Sequence, residues 1–169
     1  MPFATRETTP PLSASFRHPN AWPFWLIHAS VLLAFFTDVA ASDFLVMAVV
    51  YSLQMFGVTA GYHRYFSHRT FKTSRVFQFL LAFLAQASVQ KGALWWAAHH
   101  RRHHKHSDQE GDVHSPMQDG FWYSHVGWLF DPRWDDTHFS KIRDFARYPE
   151  LRWLNKYFLV PPVALGGLV

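Results

Sequence analysis

The chain has no cysteine among its 169 residues, which excludes disulfides and thiolate metal sites. It has no Lys or Arg between Arg17 and Arg64, although fourteen of its sixteen basic residues lie from Arg64 to Lys156. It has no Glu-x-x-His, the paired ligand motif of soluble di-iron helical bundles. It has no internal repeat and no low-complexity tract. Its start lacks the compact basic run and small-residue cleavage site of a secretory signal. The length suits one domain. Any metal chemistry must therefore rest mainly on imidazole.

Imidazole is abundant. Five histidines fall within eight positions: His99, His100, His103, His104 and His106. A second pair, His63 and His68, sits about thirty residues upstream. Neutral imidazole is the commonest protein ligand for iron, zinc and copper. On a helix, residues at i, i+3 and i+4 share a face, so His100, His103 and His104 form one set. His99, His103 and His106 form another on a neighbouring face, and spacing does not choose between them. His63 and His68, five apart, lie roughly 140° apart on a helix of 3.6 residues per turn. They converge on one centre only if the helix bends or ends near Ser67. The competing reading of the 101–105 run is a solvated basic surface, or one meeting anionic lipid or nucleic acid. Two clusters at the edges of apolar segments favour metal, and no nucleic-acid partner is expected.

The apolar blocks run from about 21 to 36 and from about 44 to 62. A spanning helix needs about 20 apolar residues; the second block meets that and the first does so marginally. The short link between them holds Asp38 and Asp43 and no base. The pair reads as a transmembrane hairpin over 21–62, with the basic region behind it on the cytoplasmic side. Residues 1–20 read as a flexible cytoplasmic tail. A third stretch, 76–89, is short for a span and reads as an interfacial or re-entrant helix. Apolar character returns over 157–169, which reads as a span cut short. The expected class is all-α: an integral membrane helical bundle with a cytosolic cap.

Three ordered motifs carry a resemblance. His63-Arg64-Tyr65-Phe66-Ser67-His68 looks like the first histidine box of the membrane-bound fatty acid desaturases, and His100-Arg101-Arg102-His103-His104 is similar to their second. Asp112-Val113-His114-Ser115, followed by Ser124-His125-Val126-Gly127-Trp128, resembles the stretch that leads to their third span. The resemblance is specifically to the acyl-CoA delta-9, stearoyl-CoA type, branch.

The resemblance implies a four-span bundle under a helical cap, with two irons held by histidines of three boxes. Its metal ligands here would be His63, His68, His100, His103 and His104. His99, Asp112 and His114 are candidates to support those ligands. Trp96 and Trp128 are candidates to line an acyl tunnel, and Arg101 and Arg102 to meet an anionic head group. The third box, H-x-x-H-H, is absent from this sequence. Residues 21–169 would therefore be a partial domain: histidine boxes over 63–114, a cytosolic segment over 115–155 and the start of a third span over 156–169.

Implied partners are a fatty acyl substrate (acyl-CoA or acyl-lipid), membrane lipid and a separate electron donor of ferredoxin or cytochrome b5 type. The expected activity is oxygen-dependent insertion of a cis double bond, at the delta-9 position, with the fragment itself inactive. Alternatives are a histidine-box lipid hydroxylase, or a non-catalytic membrane metal-binding fragment.

Overall fold

The computed structural model describes Arg17 and residues 19–168, and all regular structure among them is helical. The tail expected over 1–20 lies outside the described residues except for Arg17, Pro19 and Asn20. The α-helices are α1 (Trp22–Ser30), α2 (Ala41–Phe56), α3 (Arg75–Gln86), α4 (Ala93–His106), α5 (Pro116–Asp119), α6 (Phe121–His125), α7 (Arg143–Ala146), α8 (Pro149–Lys156) and α9 (Val160–Gly166). They belong to two compact units: 1–39 with 105–136, and 40–104 with 137–169.

In the second unit, α2 starts where Asp43 accepts the Ala40 N–H at 2.8 Å. A carboxylate in the first turn also complements the helix dipole. α2 then continues without a break as a π-helix, Gly57–Ser67. The combined helix, Ala41–Ser67, has 27 residues and is the one helix among the described residues long and apolar enough to cross a membrane. Its first half presents Phe44, Leu45, Met47, Val49 and Tyr51 outward. An apolar surface of that size suits lipid better than water.

Helix α3 packs along the π segment at very close range. Gly57 and Gly61, four residues apart, face the α3 backbone: a Cβ on Gly57 would lie 2.7 Å from the Ala85 nitrogen, and one on Gly61 3.0 Å from the Leu81 oxygen. This is the small-residue spacing that lets helices in membranes approach closely. Ser74 caps α3 by accepting the Phe77 N–H at 3.2 Å.

The start of α4 is buried, so its orphan N–H groups need partners. Gln86 accepts from the Ala93 N–H at 2.9 Å, and Asn155 accepts from the Trp95 N–H at 2.8 Å. Tyr62, Phe66, Leu81, Leu94, Ile142, Leu151 and Leu154 make the centre of the core around these helices. Each such side chain is worth about 1.5–3 kcal/mol when fully buried. The core thereby locks the π segment, α3, α4 and α8 into one block.

In the first unit, α1 runs on as a 3₁₀-helix, Val31–Phe36. Its rises give a length of about 25 Å, below the ~30 Å of a hydrocarbon core. Phe24 meets Phe130 edge-on at 5.2 Å between centroids. Asp131, 2% exposed, accepts from the Tyr123 hydroxyl at 2.6 Å and from Arg133 Nη2 at 2.6 Å. The Trp134 indole donates to the same tyrosine oxygen at 3.1 Å.

Candidate metal centre

The first histidine pair sits at the end of the π segment. A π-turn closes i→i+5 hydrogen bonds, so residues five apart stack one above the other. His68 N–H indeed donates to the His63 carbonyl at 3.1 Å. Their rings, splayed on an ideal α-helix, come to 4.5 Å between centroids. The wider turn thus achieves what the spacing alone forbids. Arg69 follows with φ 55°, so the chain turns away directly after the second histidine.

The second pair comes from α4. His100 and His104 are four apart on one face, with their Nε2 atoms 3.0 Å apart. His100 Nε2 is also 3.3 Å from His68 Nε2. The ligand nitrogens of His63, His68, His100 and His104 all lie within 4.8 Å of one another. His100 Nε2 can share one proton with one neighbour, so the converging lone pairs call for a cation. Four imidazole nitrogens suit iron, zinc, copper or nickel. A cavity of about 220 Å³, lined by Ser67, His68, Arg69, His100, Arg101 and His104, opens beside the group.

Electrostatics favour the ligating form. Burial, then the neighbouring His104, His63, His68 and His103, push the His100 pKa down to about 3. Burial, then His63, His104 and Arg101, also lower that of His68. Both rings are held neutral at pH 7, with a lone pair available. Trp96 stacks on His100 at 4.7 Å and on Tyr62 at 5.1 Å, which fixes the plane of the His100 ring. The Trp96 indole donates to Gln90 at 3.2 Å.

The other candidates from the sequence fall elsewhere. His103 lies outside the group of four, its ring 6.1 Å from that of His100. His99 is buried at 4% exposure, packed 4.4 Å from Trp95 and 5.8 Å from His138. Arg102 is half-buried on α4. Asp112, His114 and Trp128 belong to the first unit. There Asp112 accepts from the backbone of Asp108 and His114, and the His114 ring meets Trp128 at 4.5 Å.

Sequence reasoning missed Gly57, Gly61, Gln86, Asp144 and Asn155. The Gly-x-x-x-Gly spacing was a readable signal for the first two. The polar three act through distant partners and carry no local signal.

Comparison with known proteins agrees with this geometry. The fatty acid desaturase family matches residues 42–167. The chain is 34% identical to an sn-2 palmitoyl-lipid 9-desaturase of Nostoc sp. (strain 36), over 93% of this chain and 56% of that protein. It is 36% identical to an sn-1 stearoyl-lipid 9-desaturase of Anabaena variabilis, over 89% and 56%. It is 32% identical to an acyl-CoA Delta(11) desaturase of Trichoplusia ni, over 88% and 44%. The chain spans about half the length of these curated relatives. All-helical structure, a span-length apolar helix and two histidine pairs converging on one point are matched by sequence likeness across most of the chain, and the chain belongs to the fatty acid desaturase family.

Proposed function

We propose that this chain is the part of a membrane fatty acyl desaturase that carries the first two histidine boxes, and that the metal is iron. The observation carrying the proposal is the convergence of His63, His68, His100 and His104 from two helices. These four would hold one ion. His103 is the remaining second-box histidine and would serve a second ion. Bound iron supplies the oxidising power needed to take hydrogen from unactivated methylenes. In the net reaction, adjacent methylenes lose two hydrogens. With two electrons and two protons from outside, oxygen becomes two waters.

The protein's part is placement. α4 and the π segment bring the four ligands together, burial keeps His68 and His100 neutral, and Trp96 fixes the orientation of His100. The apolar surface of Ala41–Ser67 supports a site next to lipid, where an acyl chain resides. The 9-desaturase relatives support a cis double bond at the 9-position of an acyl-lipid or acyl-CoA substrate. Electrons would come from a separate ferredoxin or cytochrome b5-type protein.

The histidine end of the long helix would face the cytoplasm. Asp38 and Asp43 flank its start, whereas the exposed Arg64, Arg69, Lys72 and Arg75 lie at or just beyond its end. That asymmetry follows the positive-inside bias.

The test is a chimera in which this chain replaces the matching part of an sn-2 palmitoyl-lipid 9-desaturase, expressed in a host lacking that activity. A monounsaturated acyl product is expected. A hydroxylated acyl product would establish a lipid hydroxylase instead.

A further inference from the structure

We propose that Arg101 is a positioning residue that holds the two histidine pairs in register, acting through Asp144. The inference rests on the metal-centre reading above. Arg101 lies next to His100 in sequence, and its guanidinium turns toward the end of the π segment. Nε donates to the Ser67 carbonyl at 3.1 Å, and Nη2 to the Phe66 carbonyl at 2.7 Å. These carbonyls are among the last of the π segment, immediately before His68, where helical partners run out. A cation there also complements the negative end of the helix dipole.

The opposite side of the guanidinium is closed by Asp144. Nη1 donates to Oδ1 at 3.0 Å and Nη2 to Oδ2 at 2.8 Å, a bidentate pair. Nη1 also donates to the Lys141 carbonyl at 3.1 Å. A guanidinium has five N–H donors, and these contacts use all of them. Arg101 therefore has no donor left for a substrate head group. Its bonds join three pieces of chain: the end of the first-box helix, the second-box helix and the 141–144 segment. His68 and His100, the residues that follow and precede these anchor points, are the pair whose Nε2 atoms stand 3.3 Å apart.

Lysine cannot replace this arrangement. Its three donors radiate from one atom and cannot cap two carbonyls while holding a bidentate carboxylate. Asp144→Asn should be milder, because Arg101 keeps its three carbonyl bonds.

The experiment titrates Co²⁺ into the full chain in detergent micelles and follows the visible ligand-field spectrum, with circular dichroism as the check on folding. The wild type should give a spectrum of nitrogen coordination that His100→Ala abolishes. Arg101→Lys should keep the helical signal, weaken Co²⁺ binding at least tenfold and shift the ligand-field bands at saturation. Asp144→Asn should fall between wild type and Arg101→Lys.

If Arg101→Lys binds Co²⁺ like wild type with the same spectrum, the positioning role is overturned while the metal centre stands. If Arg101→Lys loses its helical signal outright, Arg101 is a general folding residue and the specific role is equally overturned. If wild type and His100→Ala bind alike, the metal-centre reading fails and takes this proposal with it.

Discussion

Substituting Gly57 by Ala tests whether backbone contact between α3 and the π segment sets the site. A Cβ there would lie 2.7 Å from the Ala85 nitrogen, 2.8 Å from the Leu84 carbonyl carbon and 2.9 Å from the Ala85 Cα. All three are backbone atoms, so no side chain can swing aside. The helices must part by about 0.7 Å, a gap that forfeits a quarter to a half of each dispersion contact along the seam. Overpacking of this kind costs about 1–3 kcal/mol, and the better helix propensity of Ala returns up to ~1 kcal/mol. The net expectation is a loss of about 1–2 kcal/mol.

Gly61→Ala is the internal control. Its nearest contact is a single carbonyl oxygen at 3.0 Å and its next is the Ala85 Cβ at 3.5 Å. A shift of a few tenths of an ångström relieves that, and propensity offsets the remainder, so the net effect should stay within ~0.5 kcal/mol. The assay is reversible unfolding in mixed micelles, followed by far-ultraviolet circular dichroism. Gly57→Ala matching wild type, or Gly61→Ala proving the more damaging, would refute the argument.

Further outcomes follow from the same geometry. In a desaturase-competent chimera, alanine at His100 or His104 should abolish product, whereas His99→Ala should stay active; gas chromatography of acyl chains decides. The metal-free chain should lose stability as pH falls below about 6.5, because the unfolded chain then takes a proton that His100, depressed to about 3, refuses in the fold. His100→Ala should flatten that slope in unfolding curves between pH 6.5 and 4. Tyr123→Phe removes a 2.6 Å bond to the buried Asp131 and should cost about 1–3 kcal/mol, read as a lower melting temperature. A cysteine at Ala41 should label from outside intact cells and one at Ser107 only after permeabilisation; the reverse pattern would invert the proposed topology.

Much of the fold and the site was legible in the sequence, and the gaps have physical causes. Apolar block lengths and the absence of Lys and Arg between Arg17 and Arg64 pointed to helices that meet lipid. The i, i+4 spacing placed His100 and His104 on one face, but the same rule admitted His99, His103 and His106. The choice between faces depends on what packs against α4. His99 is taken by Trp95 and His138, while His100 meets His68. The box resemblance named His63 and His68, but their convergence could not be read from spacing: a 3.6-residue turn separates positions five apart, and the π winding of 57–67 brings them together. Arg101 read as a surface or head-group residue because its partners Phe66, Ser67, Lys141 and Asp144 are far away in sequence. Gln86 and Asn155 were silent for the same reason, since side-chain caps on a distant helix start leave no periodicity.

The central claim is that four histidines from two helices hold one metal ion. X-ray absorption at the iron edge, on the anaerobically loaded chain, measures this most directly. The expected spectrum is a shell of imidazole nitrogens, with the imidazole signal reduced in His63→Ala, His68→Ala, His100→Ala and His104→Ala and unchanged in His99→Ala. An oxygen-dominated shell, or a spectrum indifferent to His100→Ala, would contradict it.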